Sequence, residues 1–191
     1  YRGADRAIML TDRRAAASDT LATSYIIAQT VKAIGETYGA FDFVFCGRQA
    51  IDGDTAQVGP QAAEKLGIPQ VTYLQQLVRL QDGKVLIRRD IGRGWEIVEA
   101  RLPLLVTVTD TANRPRPPAA LKVMRYKRAR VPAELAAEVK SQMPDATDDA
   151  REAEVKRRTD ALQQRGLLLE QWDLDRVGAQ LDRCGLAGSP T

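Results

Sequence analysis

An α/β fold built on a parallel sheet is the class this sequence predicts, on three observations. Short apolar β-rich runs alternate with helix-periodic stretches up to Tyr73, and the connections between them are short. A hairpin signal at Asp82-Gly83 then marks an antiparallel excursion, after which a last apolar run at 104–110 returns to the sheet. With 44% hydrophobic and 28% charged residues, the chain has the balance of a globular protein and not of a disordered one.

The elements follow in order. Residues 7–10 form an apolar run consistent with a buried strand. SDTLATSYIIAQTVKAIGE reads as a helix, with Ser18 or Asp19 as cap and Leu21, Ile26, Ile27, Val31 and Ile34 at roughly helical spacing. FDFVF at 41–45 is a second strand, closed by Cys46-Gly47 and the polar loop RQAIDGDTAQ. A helix starts between Asp54 and Pro60 and stops at Leu66-Gly67, and a strand resumes at 71–73. LVRLQDGKVLIRR is the hairpin, and 95–102 adds one more strand. From Asn113 the composition shifts: NRPRPPAA is an irregular loop, LKVMRYKRARV is basic, and 133–166 is polar, charge-mixed and helix-forming with an interruption at Met143-Pro144. A final helix is expected over 173–184. The domain division this suggests is 1–112 and 113–191.

Several function classes are excluded. The sequence has no histidine, so His-based triads and His-containing metal sites are out. Cys46 and Cys184 lack CxxC spacing, which fits a reducing compartment, cytoplasmic or organelle-matrix; no metal site is expected. A net charge of +3 gives no argument for nucleic acid, and no apolar run reaches the ~20 residues of a membrane span. Hard chemistry here would belong to a cofactor.

The most informative stretch is strand–CGRQAIDGDTAQVGP–helix. Gly47 directly after a strand lets backbone approach a ligand, and the next helix N-terminus offers unpaired amides from Thr55, Ala56, Gln57 and Val58 to an anion. Small residues at Gly53 and Ala56 keep the approach open. The bland alternative is a plain connecting loop with Asp54 as helix cap. Thr20 and Thr23 lie one turn apart at the start of the first helix, either facing the same ligand edge or merely capping. Cys46 reads as a small residue at a strand end. The basic run at 122–130 and the pair Asp148-Asp149 read as surface.

GRQAIDGDTAQVGPQAAEKLGIPQVTY closely resembles the signature of the electron transfer flavoprotein β subunit. GADRAIMLTD, DTLATS, LPLLVTVTD, the N-x-P-R stretch before Met124 and the closing CGLAGSPT are similar to that family as well. The resemblance implies an adenine-nucleotide-binding, Rossmann-like domain over 1–112, lacking its N-terminal part. It also implies a C-terminal arm over 113–191 that wraps a partner, the α subunit, which holds most of a second FAD. The loop then binds FAD or AMP through Cys46, Gly47, Arg48, Gln49, Ala50, Gly53, Asp54, Thr55, Ala56, Gln57 and Val58. Thr20 and Thr23 resemble the part of electron-bifurcating members that faces a β-subunit FAD, which points to FAD over AMP.

Electrons would pass from a dehydrogenase, or onward to a quinone oxidoreductase, without direct membrane insertion. Asp90 matches an acidic position that helps place the mobile flavin domain of α. The dehydrogenase-docking loop departs from the family: Asn113-Arg114-Pro115-Arg116-Pro117-Pro118 replaces N-E-P-R-Y, and the anchor falls on Ala120 with Leu121 beside it. Acyl-CoA dehydrogenase docking is therefore not expected. Family members begin with a strand and loop upstream of Tyr1 and continue past Thr191, so the 191 residues are expected to be part of a longer chain. The competing class is a non-redox AMP/ATP-binding module of the universal-stress kind, but no glycine-rich phosphate loop follows 104–110.

Overall fold

A computed structural model describes residues 2–190; Tyr1 and Thr191, the ends named above, lie outside the described residues. Along the chain come β1 (Ile8–Leu10), α1 (Thr20–Tyr38), β2 (Phe43–Gly47), α2 (Val58–Leu66), β3 (Gln70–Gln81), β4 (Lys84–Asp90), β5 (Trp95–Arg101) and β6 (Leu104–Val108). Then follow α3 (Ala120–Tyr126), α4 (Pro132–Gln142), α5 (Asp148–Gln164) and β7 (Glu170–Trp172). These residues divide into two compact units. One holds Asp12–Pro115 with the chain from Asp173 onward; the other holds residues up to Thr11 with Arg116–Trp172.

The larger unit is the α/β one. Its five-stranded sheet has the order β2-β6-β3-β4-β5, with β2, β6 and β3 parallel and β4 and β5 antiparallel. The interior strand β6, between β2 and β3, is the most buried, with Leu104, Leu105 and Val106 fully buried. Alternation sends these side chains to two faces. Leu104 and Val106 join Val71, Leu74, Val85 and Ile87 on one face, while Leu105 meets Ala62 and Ala63 of α2 and Ile27 of α1 on the other. Each buried Leu or Val contributes about 1.5–3 kcal/mol. The hairpin forms as expected: Asp82 and Gly83 have φ of 52° and 70°, the left-handed pair a type I′ turn requires.

Local chemistry sets the helix ends. Asp19 caps α1 by accepting from the Ala22 amide at 2.9 Å. Gly67, at φ 68°, stops α2 by donating to the Ala63 and Glu64 carbonyls. The C-terminal stretch fastens the start of α1, because Ser189 Oγ accepts from the Asp19 amide at 2.9 Å and Ser18 Oγ accepts from the Gly185 amide at 3.0 Å.

Two expectations are corrected. Residues 7–10 are not a buried strand of the sheet. Only Ile8–Leu10 is extended, Met9 is exposed, and β1 pairs in parallel with β7 in the smaller unit. Three residues cannot specify a sheet partner, and this one lies over 150 positions away in sequence. Nor is 173–184 a helix. Asp173 Oδ1 caps a single turn by accepting from the Arg176 amide at 2.8 Å, and Gly178 at φ 64° then ends it. Burying Leu174 and Val177 needs no more than that one turn.

In the smaller unit the helical content and its break at Met143-Pro144 are present. Helix α4 starts with Pro132 and buries Leu135 and Val139, whereas α5 buries nothing. Asp148 and Asp149 occupy the first turn of α5, where its dipole favours acids. Further along α5, Glu154 is held by Arg157 and Arg158, which lowers its carboxyl to about 2.

An acid-sensitive clamp ties the two stretches of the larger unit together. The Asp12 carboxylate, its side chain 9% exposed, accepts from the Arg14 guanidinium at 2.6 Å, from the Arg14 amide at 2.9 Å and from the Leu174 amide at 3.2 Å. Arg14 reaches on to Asp175 at 2.8 Å. The Arg14 hydrogen bonds hold the Asp12 carboxyl far below its ordinary value of 3.8. A lowered folded-state pKa stabilises above the unfolded value and is lost as pH falls from there through the folded value. Urea midpoints are therefore expected to fall from pH 5 toward pH 2, and Asp12→Ala to flatten part of that fall.

Candidate functional site

The strand β2 delivers Cys46 and Gly47 to the carboxyl edge of the parallel strands, and both α1 and α2 start there. Between these parts lies a cleft of about 720 Å³. All thirteen sequence-predicted ligand residues line it: Thr20 and Thr23 from α1, Cys46 and Gly47 from β2, Arg48, Gln49, Ala50, Gly53, Asp54, Thr55, Ala56 and Gln57 from the loop, and Val58 from α2. Ser18, Asp19, Ile27, Asp52 and Gly59 complete the lining.

The two helix ends differ in what they can offer. At α1 the Asp19 carboxylate already occupies the cap, which adds negative charge there. At α2 the cap position is Gln57, whose side chain bonds no backbone amide. Asp54, the alternative cap, is not one: it sits at φ 51° and accepts from the Gln49 amide side chain. The first amides of α2 thus keep their free donors and the positive end of the dipole. Of the two helix ends, α2 is the one with donors to spare for an anion, and Arg48 is the guanidinium among the lining residues. Arg48 also lies 5.5 Å from the centre of the Tyr73 ring.

The loop is held in a costly shape. Asp54 and Ala56 are non-glycine residues in the left-handed region, at φ 51° and 55°, which costs on the order of 1–2 kcal/mol each. The Asp54 amide returns to the Ala50 carbonyl at 3.1 Å and Gly53 donates to Asp52 Oδ1 at 2.9 Å, so the strain is locked by short-range hydrogen bonds.

A polar bridge spans the two helices. Thr20 Oγ1 donates to Gln57 Oε1 at 3.3 Å and accepts from Gln61 Nε2 at 3.5 Å, while Gln61 Oε1 is buried without a partner. Gln61 was not picked out by sequence reasoning. Its only signal is the i+4 spacing from Gln57, which any polar helix face shows. Burial pushes the Cys46 thiol up, which suits a packing residue and not a nucleophile. Among the described residues no cluster of His, Cys, Asp or Glu is placed to hold a metal.

The residues expected to meet a partner lie elsewhere. Asp90 ends β4, accepting from Gln75 Nε2 at 3.1 Å and from the Gly92 amide at 2.6 Å. Ala120 and Leu121 open α3, and Leu121 is 87% exposed.

The fold and cleft define an α/β domain whose parallel strands end at an open cleft between the starts of its two helices. The sequence pattern of the electron transfer flavoprotein domain matches residues 1–161. Over 132 residues the chain is 45% identical to the electron transfer flavoprotein subunit beta of Megasphaera elsdenii, covering 68% of this chain and 48% of that protein. Protein FixA of Azorhizobium caulinodans is 47% identical over 131 residues, 68% of this chain and 47% of its own length. A third relative, 47% identical over 60% of this chain and 42% of its own length, is the acryloyl-CoA reductase electron transfer subunit gamma of Anaerotignum propionicum. The chain belongs to the electron transfer flavoprotein domain family, among relatives that are β subunits and FixA proteins. It spans about half the length of these curated relatives.

Proposed function

We propose that this chain is the nucleotide-binding part of the β subunit of a cytoplasmic, heterodimeric electron transfer flavoprotein, and that its cleft holds FAD. The observation carrying this reading is the uncapped N-terminus of α2 opening on a cleft that also presents the Thr20–Gln57–Gln61 bridge. The donor set fits. Free amides of the first turn and Arg48 neutralise a diphosphate, and the loop from Gly47 shapes the adenosine side. Thr20 and Thr23, which line the same cleft from α1, are assigned to the flavin part of the ligand. Bound there, the flavin supplies the one- and two-electron chemistry that no side chain of this chain can perform, including electron bifurcation.

Residues 113–191 serve as the arm that engages the α subunit, with the dehydrogenase or quinone oxidoreductase meeting the assembled pair. The relative named as an acryloyl-CoA reductase subunit makes a CoA-thioester reductase one partner class to try.

The test is to co-purify the chain with its α subunit and count released nucleotides. Two FAD per heterodimer is the expected result. One FAD with one AMP assigns the cleft to AMP and removes bifurcation. A colourless monomer that binds ATP overturns the flavoprotein reading. In the same preparation Thr20→Val with Thr23→Val is expected to lower flavin occupancy of the cleft at least tenfold while leaving AMP affinity within twofold.

A further inference from the structure

A strained residue stands beside the cleft without lining it. Tyr73 has φ 58°, and the left-handed region is an outlier for an aromatic side chain. It lies in a bulge of β3: Val71 pairs with Val106 and Leu74 with Val108, so Thr72 and Tyr73 together face the single residue Thr107 of β6. Side chains enforce this shape from both sides. The Tyr73 amide donates to Thr107 Oγ1 at 3.0 Å. From β4, Arg89 donates through Nε to the Thr72 carbonyl at 3.1 Å and through Nη2 to Thr72 Oγ1 at 2.8 Å. Beyond the bulge, the Thr109 amide and hydroxyl donate to the Leu74 carbonyl at 3.1 and 3.0 Å.

Core packing explains part of this. A regular strand would place Val71 and Tyr73 on one face, and the extra residue brings Leu74 there instead, into the same core cluster as Val71. That accounts for the bulge but not for an aromatic residue at its strained position, which glycine or asparagine would fill more easily. The sheet order supplies a reason. Gly47 of β2 and Leu74 of β3 pair with the same residue, Val108, from its two sides, so Arg48 and Tyr73 flank the end of β6 at one level. There the Arg48 guanidinium lies 5.5 Å from the centre of the Tyr73 ring, and Arg48 lines the cleft. A π face restrains a guanidinium without consuming its N–H donors, whereas a carboxylate in the same place would compete for them with a phosphate.

We infer that Tyr73 is a positioning residue of the nucleotide site: the bulge holds its ring where it braces Arg48, and Arg48 keeps its donors for the phosphates of the ligand. This rests on the reading that the cleft holds an adenine nucleotide. The test uses the chain paired with its α subunit and stripped of nucleotide. Tyr73→Asn and Tyr73→Gly remove the ring and accept the left-handed backbone. Each is expected to weaken AMP and the second FAD about threefold, the size of one exposed cation–π contact. Tyr73→Phe keeps the ring and is expected to bind as the wild type does. In an Arg48→Met background, Tyr73→Asn is expected to change neither affinity further, because the contact it removes is already gone. Adenosine, which has no phosphate, is expected to bind the wild type and Tyr73→Asn alike. A merely structural role would weaken adenosine and AMP together, whatever residue stands at position 48. That pattern, or unchanged AMP and FAD affinity in Tyr73→Asn and Tyr73→Gly, overturns this inference and leaves the nucleotide reading standing. A wild-type pair that binds no AMP and no second FAD overturns both.

Discussion

Gly59→Val is expected to cost about 3 kcal/mol of stability, at the upper end of the overpacking range. For a chain of this size that is roughly 6–12 °C in the unfolding midpoint. Gly59 lies in the first turn of α2, where the helix crosses β6 at close range. A Cβ there would sit 2.9 Å from Thr107 Cγ2, with Cys46 Cβ and Leu105 Cδ2 each at 3.6 Å. None of these can yield: Leu105 is fully buried, and Thr107 is fixed because its Oγ1 accepts from the Tyr73 amide at 3.0 Å. The helix must therefore lift, carrying its free amides away from the cleft, and nucleotide affinity is expected to fall with stability. A double-mutant cycle identifies the contact. Gly59→Ala alone should destabilise, but in a Thr107→Ser background the offending methyl is gone and the Tyr73 hydrogen bond is kept. Alanine's helix preference over glycine, about 1 kcal/mol, should then make the same substitution stabilising. Thermal melts of the four proteins decide it, and equal effects of Gly59→Ala in both backgrounds would show that Thr107 is not what the helix packs against.

Where the sequence was legible, the cause was local. The hairpin needed only Asp82-Gly83, and the end of α2 needed only Gly67, because a left-handed turn is decided by one or two residues. The apolar run at 104–110 marked its strand for the same reason. The start of α2 was illegible between Asp54 and Pro60 because Asp54 has the chemistry of a cap but spends its carboxylate on Gln49. A helix that begins uncapped at Val58 breaks the rule by which helix starts are read. The pairing of β1 with β7, the fastening of α1 by Ser189 and the bridge to Gln61 all join residues 40 to 170 positions apart. Periodicity carries no information at that separation. The bulge at Thr72-Tyr73 is of the same kind, since nothing in QVTYL marks where the ladder takes an extra residue.

Gly53→Val separates a ligand-binding loop from a plain connector. The backbone at Gly53 is not left-handed, and a Cβ there meets no protein atom within 4 Å. The fold therefore gives no reason for glycine, and the midpoint of unfolding is expected to stay within the roughly ±0.5 kcal/mol of a neutral surface change. Yet Gly53 lines the cleft between Asp52 and the strained Asp54, so two added methyl groups occupy ligand space. Nucleotide affinity is expected to fall at least tenfold, about 1.4 kcal/mol. Ile51 provides the control. It belongs to the same loop, is 98% exposed, and does not line the cleft, so Ile51→Ala should leave affinity unchanged. Calorimetric titration of the α-bound chain with FAD and AMP, beside thermal melts, gives both numbers for each variant. If Gly53→Val binds as the wild type does, the strain at Asp54 and Ala56 serves only to turn the chain, and the cleft is not where the nucleotide sits. If Ile51→Ala weakens binding equally, the loop acts through its overall conformation and Gly53 is not a point of contact.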